Sequence, residues 1–521
     1  MDTKALRQKI LDLAIRGKLV PQDSNDEPAS VLLERIRQQK QQMVKEGKLK
    51  PKDIKNDSVI FVGEDNLHYE KFSDGSVKCI EDEIPFELPD GWAWARLSSI
   101  ADMALGKMLD VAKNKGSLRP YLRNINVRWG TFDLSDTLEM RFEDNELERY
   151  SICYGDLVMC EGGEPGRCAV WKSEEVVFYQ KALHRVRAIE ILPEYLYYVI
   201  RRFIISNQYE KYYTGTTIKH LTGQSLRMLP IPLPPLNEQK LIVEHLQRII
   251  EEIDKIKMRK TEAFSLVSLA KSKILDLAIR GKLVPQDSND EPASVLLERI
   301  RAEKEELIRQ GKIKRDKKES VIFRGEDNSY YVRQDTHTES IDEQFIFELP
   351  DNWEWCSLLN IAKIELGKTL DSAKNIGTNY PYLRSVNVRW NEVDLSDLKE
   401  MRFEPEELDR YTVRRNDLLI CEGGDVGRSC VWTDEKEILY QNALHRVRFY
   451  GGCNPFYFMY YMMYYESRGI IKALCKGVTI KHLTGNVLSL IPFALPPIEE
   501  QGRIVERLNR IFVLLNSIIC D

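Results

Sequence analysis

"KILDLAIRGKLVPQDSNDEPASVLLERIR" occupies Lys9–Arg37, and the same 29 letters return without a substitution at Lys273–Arg301. Sliding the chain on itself extends the match. "FELPDGWAW" from Phe86 answers "FELPDNWEW" from Phe347, and "PYLRNINVRW" from Pro120 answers "PYLRSVNVRW" from Pro381. "GDLVMCEGGEPGRCAVW" from Gly155 pairs with "NDLLICEGGDVGRSCVW" from Asn416, and "YQKALHRVR" from Tyr179 with "YQNALHRVR" from Tyr440. "TIKHLTG" stands at Thr217 and Thr479, and "LPPLNEQ" at Leu233 is echoed by "LPPIEEQ" at Leu495. Solenoid units run roughly 20 to 50 residues. A repeat of half the chain instead implies two similar globular lobes, an internal duplication with a pseudo-two-fold relation.

Each half reads as head, lobe and tail. In the tail, Ile242, Leu246, Ile249, Ile253 and Ile256 recur at spacings of four and three, and Ala263, Val267, Ala270, Ile274 and Leu277 continue the register, as a coiled-coil seam requires. Ile504, Leu508, Ile511, Leu515 and Ile518 repeat the first part, and Leu6, Ile10 and Leu13 the second. In each head, Asp26 and Pro28 are expected to start a second helix ending near Gly47, with Asp26 as its cap. A lysine-rich connector and the strand "SVIFV" from Ser58 follow. The lobes alternate strand-like runs with turns and one aromatic helix, "YLYYVIRRFII" from Tyr195 or "FYFMYYMMYY" from Phe456, too short to span a bilayer. The expected fold class is α+β: two similar lobes separated by long antiparallel coiled-coil helices. Its boundaries are a helical head with basic connector at 1–85, a first lobe at 86–235, a central helix and second head at 236–346, a second lobe at 347–497 and a terminal helix at 498–521.

The 521 residues, 43% hydrophobic and 30% charged, describe a globular chain of more than one domain. No run of 18 apolar residues and no apolar leader is present, so the expected compartment is the cytoplasm, with no membrane contact. Ten cysteines without a C-x-x-C pair read as reduced thiols, and no metal site is expected. A net charge of −5 means that any nucleic-acid surface is local.

No catalytic constellation emerges. "LGKT" at Leu366 has Ala362 where a phosphate loop needs its first glycine, and no G-x-G-x-x-G follows a strand. The repeated His184/His445 and His220/His482 lack a nucleophile or carboxylate at matching positions. What recurs is a set of cations, amides and one aromatic suited to DNA. Lys107, Arg123, Arg128, Trp129, Arg167, Arg185, Lys219 and His220 answer to Lys368, Arg384, Arg389, Trp390, Arg428, Arg446, Lys481 and His482. Thr217 and Thr479 supply neutral donors, and Lys181 stands opposite Asn442. Arginine reads guanine through two hydrogen bonds, while lysine and threonine more often position phosphates.

In the order head, lobe, "LPIPLPPLNEQKLIVEHL" from Leu229, head, lobe, "ALPPIEEQGRIVERL" from Ala494, the chain resembles the specificity subunit of type I restriction-modification enzymes over essentially its whole length. The resemblance implies a subunit without an active site or cofactor of its own, holding two target-recognition domains that each read half of a bipartite double-stranded DNA sequence. It implies recruitment of two modification subunits that bind S-adenosylmethionine and methylate adenine, and of restriction subunits, motor-nucleases that use ATP and Mg. Two identical surfaces suit two copies of one partner, which makes Arg16, Lys18, Leu33 and Arg35, with Arg280, Lys282, Leu297 and Arg299, the candidate docking residues. The alternative for the identical blocks is homogenisation of gene halves with no binding role. The rival functions are a stand-alone DNA-binding protein without enzyme partners and a single-chain enzyme with a fused catalytic domain.

Overall fold

The computed structural model describes residues 2–520 apart from 56, 216–218, 316–319, 335–336, 342–346, 372–374 and 476–481. The chain divides into two compact units, Met1–Arg259 and Lys260–Asp521. A single helix, Leu236–Ile279, supplies the tail of the first and the opening helix of the second.

In the first unit the head consists of helices Thr3–Ile15 and Ala29–Lys45, followed by a three-stranded antiparallel sheet of Ser58–Val62, His68–Phe72 and Val77–Cys79. The lobe holds two four-stranded sheets. One runs Cys168–Val170, Leu157–Cys160, Leu183–Ala188, Ala101–Leu105, antiparallel throughout. The other runs Ser151–Ile152, Val177–Tyr179, Ser117–Leu122, Leu138–Phe142, with one parallel pair at its centre. Leu157–Cys160 is buried on both faces, which accounts for its unbroken apolar run. The aromatic helix Pro193–Ile205 buries Tyr195, Tyr197, Tyr198 and Phe203 and satisfies the Tyr195 hydroxyl on the Pro232 carbonyl at 2.7 Å. The second unit repeats the principal elements, from head helix Ala293–Arg309 through lobe sheets of the same order to aromatic helix Pro455–Ser467 and tail Ile498–Cys520. The α+β duplication expected from the repeat is the observed fold. Among the described residues no helix is long and apolar enough to cross a membrane.

The "PPxxEQ" signature has a mechanical reason. Glu238, at the start of the tail helix, accepts the Trp92 indole N–H at 2.8 Å. Gln239 accepts the Leu192 amide at 3.1 Å and donates to the Pro234 carbonyl at 3.0 Å. Glu500 and Gln501 repeat this on Trp353 at 2.9 Å, Asn454 at 2.8 Å and Pro496 at 2.9 Å. Burial raises the Glu238 and Glu500 carboxyls above the usual range, against the pull of the indoles.

Within each unit, polar contacts join head and tail in opposite directions along the chain, while the seam residues Ile256 and Ile518 stand exposed. Arg7 meets Asp254 at 2.6 Å while Asp26, further along the head, accepts from Asn237 at 2.8 Å. Lys271 meets Asn516 at 2.6 Å while Asp290 pairs with Arg503 at 2.5 Å. Asp26 was expected to cap the second head helix. Pro28 occupies that position without a side-chain cap, and the aspartate is spent on the tail instead.

The units differ in one buried network. Arg96, fully buried in the first, bonds Glu70 at 2.7 Å, Glu83 at 2.8 Å and the Met228 carbonyl at 2.7 Å; the second unit has Ser357 and Val332 in place of Arg96 and Glu70. Removing one partner of a buried pair costs about 3–5 kcal/mol because the other charge stays buried. Arg96→Ala is therefore expected to lower the thermal midpoint of the transition involving the first unit by several degrees, and calorimetry of the full chain checks it. Glu70→Val with Arg96→Ser, which copies the second unit, is expected to cost less than Arg96→Ala alone.

Candidate nucleic-acid interface

At one rim of the first lobe, loops far apart in sequence are laced through backbone groups. The Lys107 amide donates to the Tyr179 carbonyl and the Lys181 amide to the Lys107 carbonyl at 3.0 and 2.8 Å. Glu161 donates to Ala182 at 2.9 Å and accepts from Leu221 at 2.7 Å. The glycine-rich turn Glu161–Arg167 lies at the centre. Gly162 allows the His220 ring to close on it, since a Cβ there would stand 2.8 Å from His220 Nδ1. The second lobe repeats the lacing: Asn442 to Lys368 at 2.9 Å, Glu422 to Ala443 at 3.0 Å, and Leu483 to Glu422 at 2.9 Å.

Four of the cations expected at DNA are structural. Lys107 is buried against Glu146 and over the Phe142 ring, and Lys368 against Glu407 and over Phe403. Arg185 is buried on Asp102 at 2.6 Å, and Arg446 on Glu365. Each links two parts of its lobe, so none is free for a phosphate. Arg123 and Arg384 are largely withdrawn onto Asp136 and Asp397, at 2.8 and 2.7 Å. Arg167 braces the turn by holding Glu164 at 2.5 Å and the Asn124 carbonyl at 2.9 Å; Arg428 does the same with Asp425 and the Ser385 carbonyl. Trp129 donates to Glu164 at 2.9 Å, while Trp390 packs at the edge of its core.

The rest remain presentable. Arg128 and Arg389 are exposed, with carboxylates only at 3.5 and 3.7 Å. Lys181 and His220 are exposed, as is His482, and Lys219 is exposed and paired with Glu210. Asn442 is half-buried at the rim position of Lys181. Thr217, Thr479 and Lys481 lie outside the described residues. Exposed ion pairs hold their cations weakly, so these side chains can turn to phosphate. Sequence reading passed over the loop after Leu105, where Met108, Leu109, Val111, Lys113 and Lys115 stand exposed, and over Ile125, exposed beside Asn124. The recurrence of "LD.AKN.G" in both copies was the available signal.

The docking candidates divide likewise. Arg16 and Arg280 pair with Asp12 and Asp276 at 3.0 Å and lie over Phe86 and Phe347, latching head to lobe. Leu33 and Leu297 are half-buried. Arg35 pairs with Glu27 at 2.7 Å and with Glu190, whereas Arg299 pairs with Glu291 at 3.0 Å and is exposed. Lys18 and Lys282 are exposed in the identical loops.

His184 and His445 are core residues. Each Nε2–H donates to a backbone carbonyl, Leu221 at 2.9 Å and Leu483 at 2.8 Å, and burial lowers both below the usual histidine range. Among the described residues no cluster that would hold a metal is present. With folded values below the unfolded one, both histidines favour folding fully above about pH 6.5 and less as the pH falls below it, because the unfolded chain takes up the protons first. The thermal midpoint is therefore expected to fall between pH 7 and pH 5, and the His184→Gln, His445→Gln variant to show a shallower slope over that range.

Residues 89–263 and 350–519 match the family model described as the type I restriction modification DNA specificity domain. The chain is 26% identical to the type I restriction enzyme EcoAI specificity subunit of Escherichia coli over 99% of this chain and 90% of the relative. It is 26% identical to the EcoEI specificity subunit of the same organism over 99% and 89%. A chain solved in work on complex assembly and conformational transition of the type I R-M system shares the fold, with a TM-score of 0.53 at 19% identity, over 84% of this chain and 93% of that one. Two matches, one per repeat and together spanning most of the sequence, mean that the chain belongs to the type I restriction-modification DNA specificity family.

Proposed function

We propose that this chain is the DNA-reading, non-catalytic subunit of a type I restriction-modification complex, each lobe recognising one half of a bipartite double-stranded target. The observation that carries the reading is the recurrence, in both units, of one laced rim with exposed cations and a glycine-rich turn. Related readers favour related half-sites, so the target is a near-palindrome interrupted by an unread spacer. Two modification subunits bring S-adenosylmethionine, and motor-nuclease subunits bring ATP and Mg. The rim's few exposed cations suit a reader whose partners supply further phosphate contacts.

A map of methylated adenines in cells expressing the chain with its neighbouring genes is expected to show that interrupted near-palindrome; two unrelated half-sites would count against it. The identical head loops are the proposed docking surface. Arg35 is entangled with Glu27 and Glu190, so the cleaner probe is Lys18→Glu with Lys282→Glu. That pair is expected to weaken co-purification of modification subunits about tenfold while leaving the thermal midpoint within about a degree, since exposed substitutions seldom move stability by more than ~0.5 kcal/mol. Unchanged co-purification would remove these loops from the interface.

A further inference from the structure

The duplication gives two copies of the glycine-rich turn, each a control for the other, and their bracing differs. In the first lobe the turn is held from three sides. Asn124 Nδ2 donates to the Gly162 carbonyl at 2.8 Å, the Trp129 indole donates to Glu164 at 2.9 Å, and the Tyr213 hydroxyl donates to the Pro165 carbonyl at 3.2 Å. The Arg201 guanidinium stands 5.9 Å from the Trp129 ring centroid and donates to the Tyr197 hydroxyl at 2.6 Å, fixing the indole in turn.

In the second lobe Trp129 is kept as Trp390, but its partners are replaced. Ser385 stands for Asn124 and has no amide to give the Gly423 carbonyl; Asp425 stands for Glu164, is one methylene shorter, and pairs with Arg428 rather than Trp390. Val426 stands for Pro165, giving up the ring that fixes φ, and Met463 stands for Arg201. A cleft of about 590 Å³ opens beside this turn, lined by Trp390, Gly424, Asp425, Val426, Arg428 and Ile471 among others. Besides the backbone lacing, both turns share the arginine as a side-chain brace, on the Asn124 carbonyl at 2.9 Å and the Ser385 carbonyl at 3.0 Å.

We infer that Asn124 and Glu164 are positioning residues that make the first lobe the stricter reader, and that Ser385 and Asp425 leave the second turn free to adjust, so that the second lobe accepts substitutions in its half-site. The inference rests on the DNA-reading function proposed above. A preorganised donor set rejects a wrong base by leaving its own groups unpaired, whereas a turn that shifts re-pairs them and loses discrimination.

The test measures methylation at sites carrying one mismatch in one half, relative to cognate sites, in cells expressing the full chain with its neighbouring genes. Ser385→Asn with Asp425→Glu is expected to lower that ratio about tenfold, and Asn124→Ser with Glu164→Asp to raise it by a similar factor. A merely structural role would change total methylation and leave the ratio fixed; that result, or no movement in either exchange, overturns the inference. Hydrogen exchange of the full chain gives a second reading, with amides of Glu422–Gly427 expected to exchange faster than those of Glu161–Gly166; equal rates count against it. Failure of the underlying function looks different, since methylation would then show no sequence preference that depends on this chain.

Discussion

The clamp between the tail helix and its lobe is the constraint on which the rest of each unit depends. A carboxylate at the helix start, buried and raised, accepts an indole N–H, and the next residue, a glutamine, ties the same helix to the aromatic helix and to the prolines before it. A buried carboxylate is tolerated only where its hydrogen bonds are made, so the tail has one seat on the lobe. The head is then placed by contacts that run to the same helix, through Asp26 in one unit and Asp290 in the other. Gly17 and Gly281 complete the arrangement. Their positive φ lets the loop turn against Pro89 and Pro350, where a Cβ would stand 2.5 Å from the ring.

The ion pairs inside the lobes serve the rim indirectly. Lys107 and Arg185, with their partners Glu146 and Asp102, hold together strands and loops whose backbone atoms lace the rim. Breaking such a pair strands a charge in a poorly solvated place, which is why a reader can carry many cations and present few. The overall charge of −5 fits this division of labour.

Much of this was legible in the letters, and the reasons are particular. The repeat gave two units, and the heptad spacing pointed to the head–tail pairing seen at Arg7–Asp254 and Lys271–Asn516. Individual residues were harder. "GK" after a strand looks the same whether lysine faces a phosphate or turns inward onto Glu146, because the partner lies 39 residues away. Arg185 and Arg187 alternate on one strand and both end on acids, Asp102 on a neighbouring strand and Asp156 in the turn before Leu157–Cys160. Periodicity reports which face is buried and says nothing of how a charge on that face is balanced. Asp26 shows the same limit, since a capping residue and a long-range acceptor read identically in sequence.

Each unit holds its own head, lobe and tail, with the clamps repeated in full. An internal deletion joining Arg37 directly to Ala302 would remove one lobe and the long helix together, yet leave Met1–Arg37 in the place of the second unit's identical block. The product would be a half-length polypeptide with every residue needed to seat its tail on its lobe. The modularity that lets one chain carry two readers thus also makes a viable miniature of it a single genetic event away.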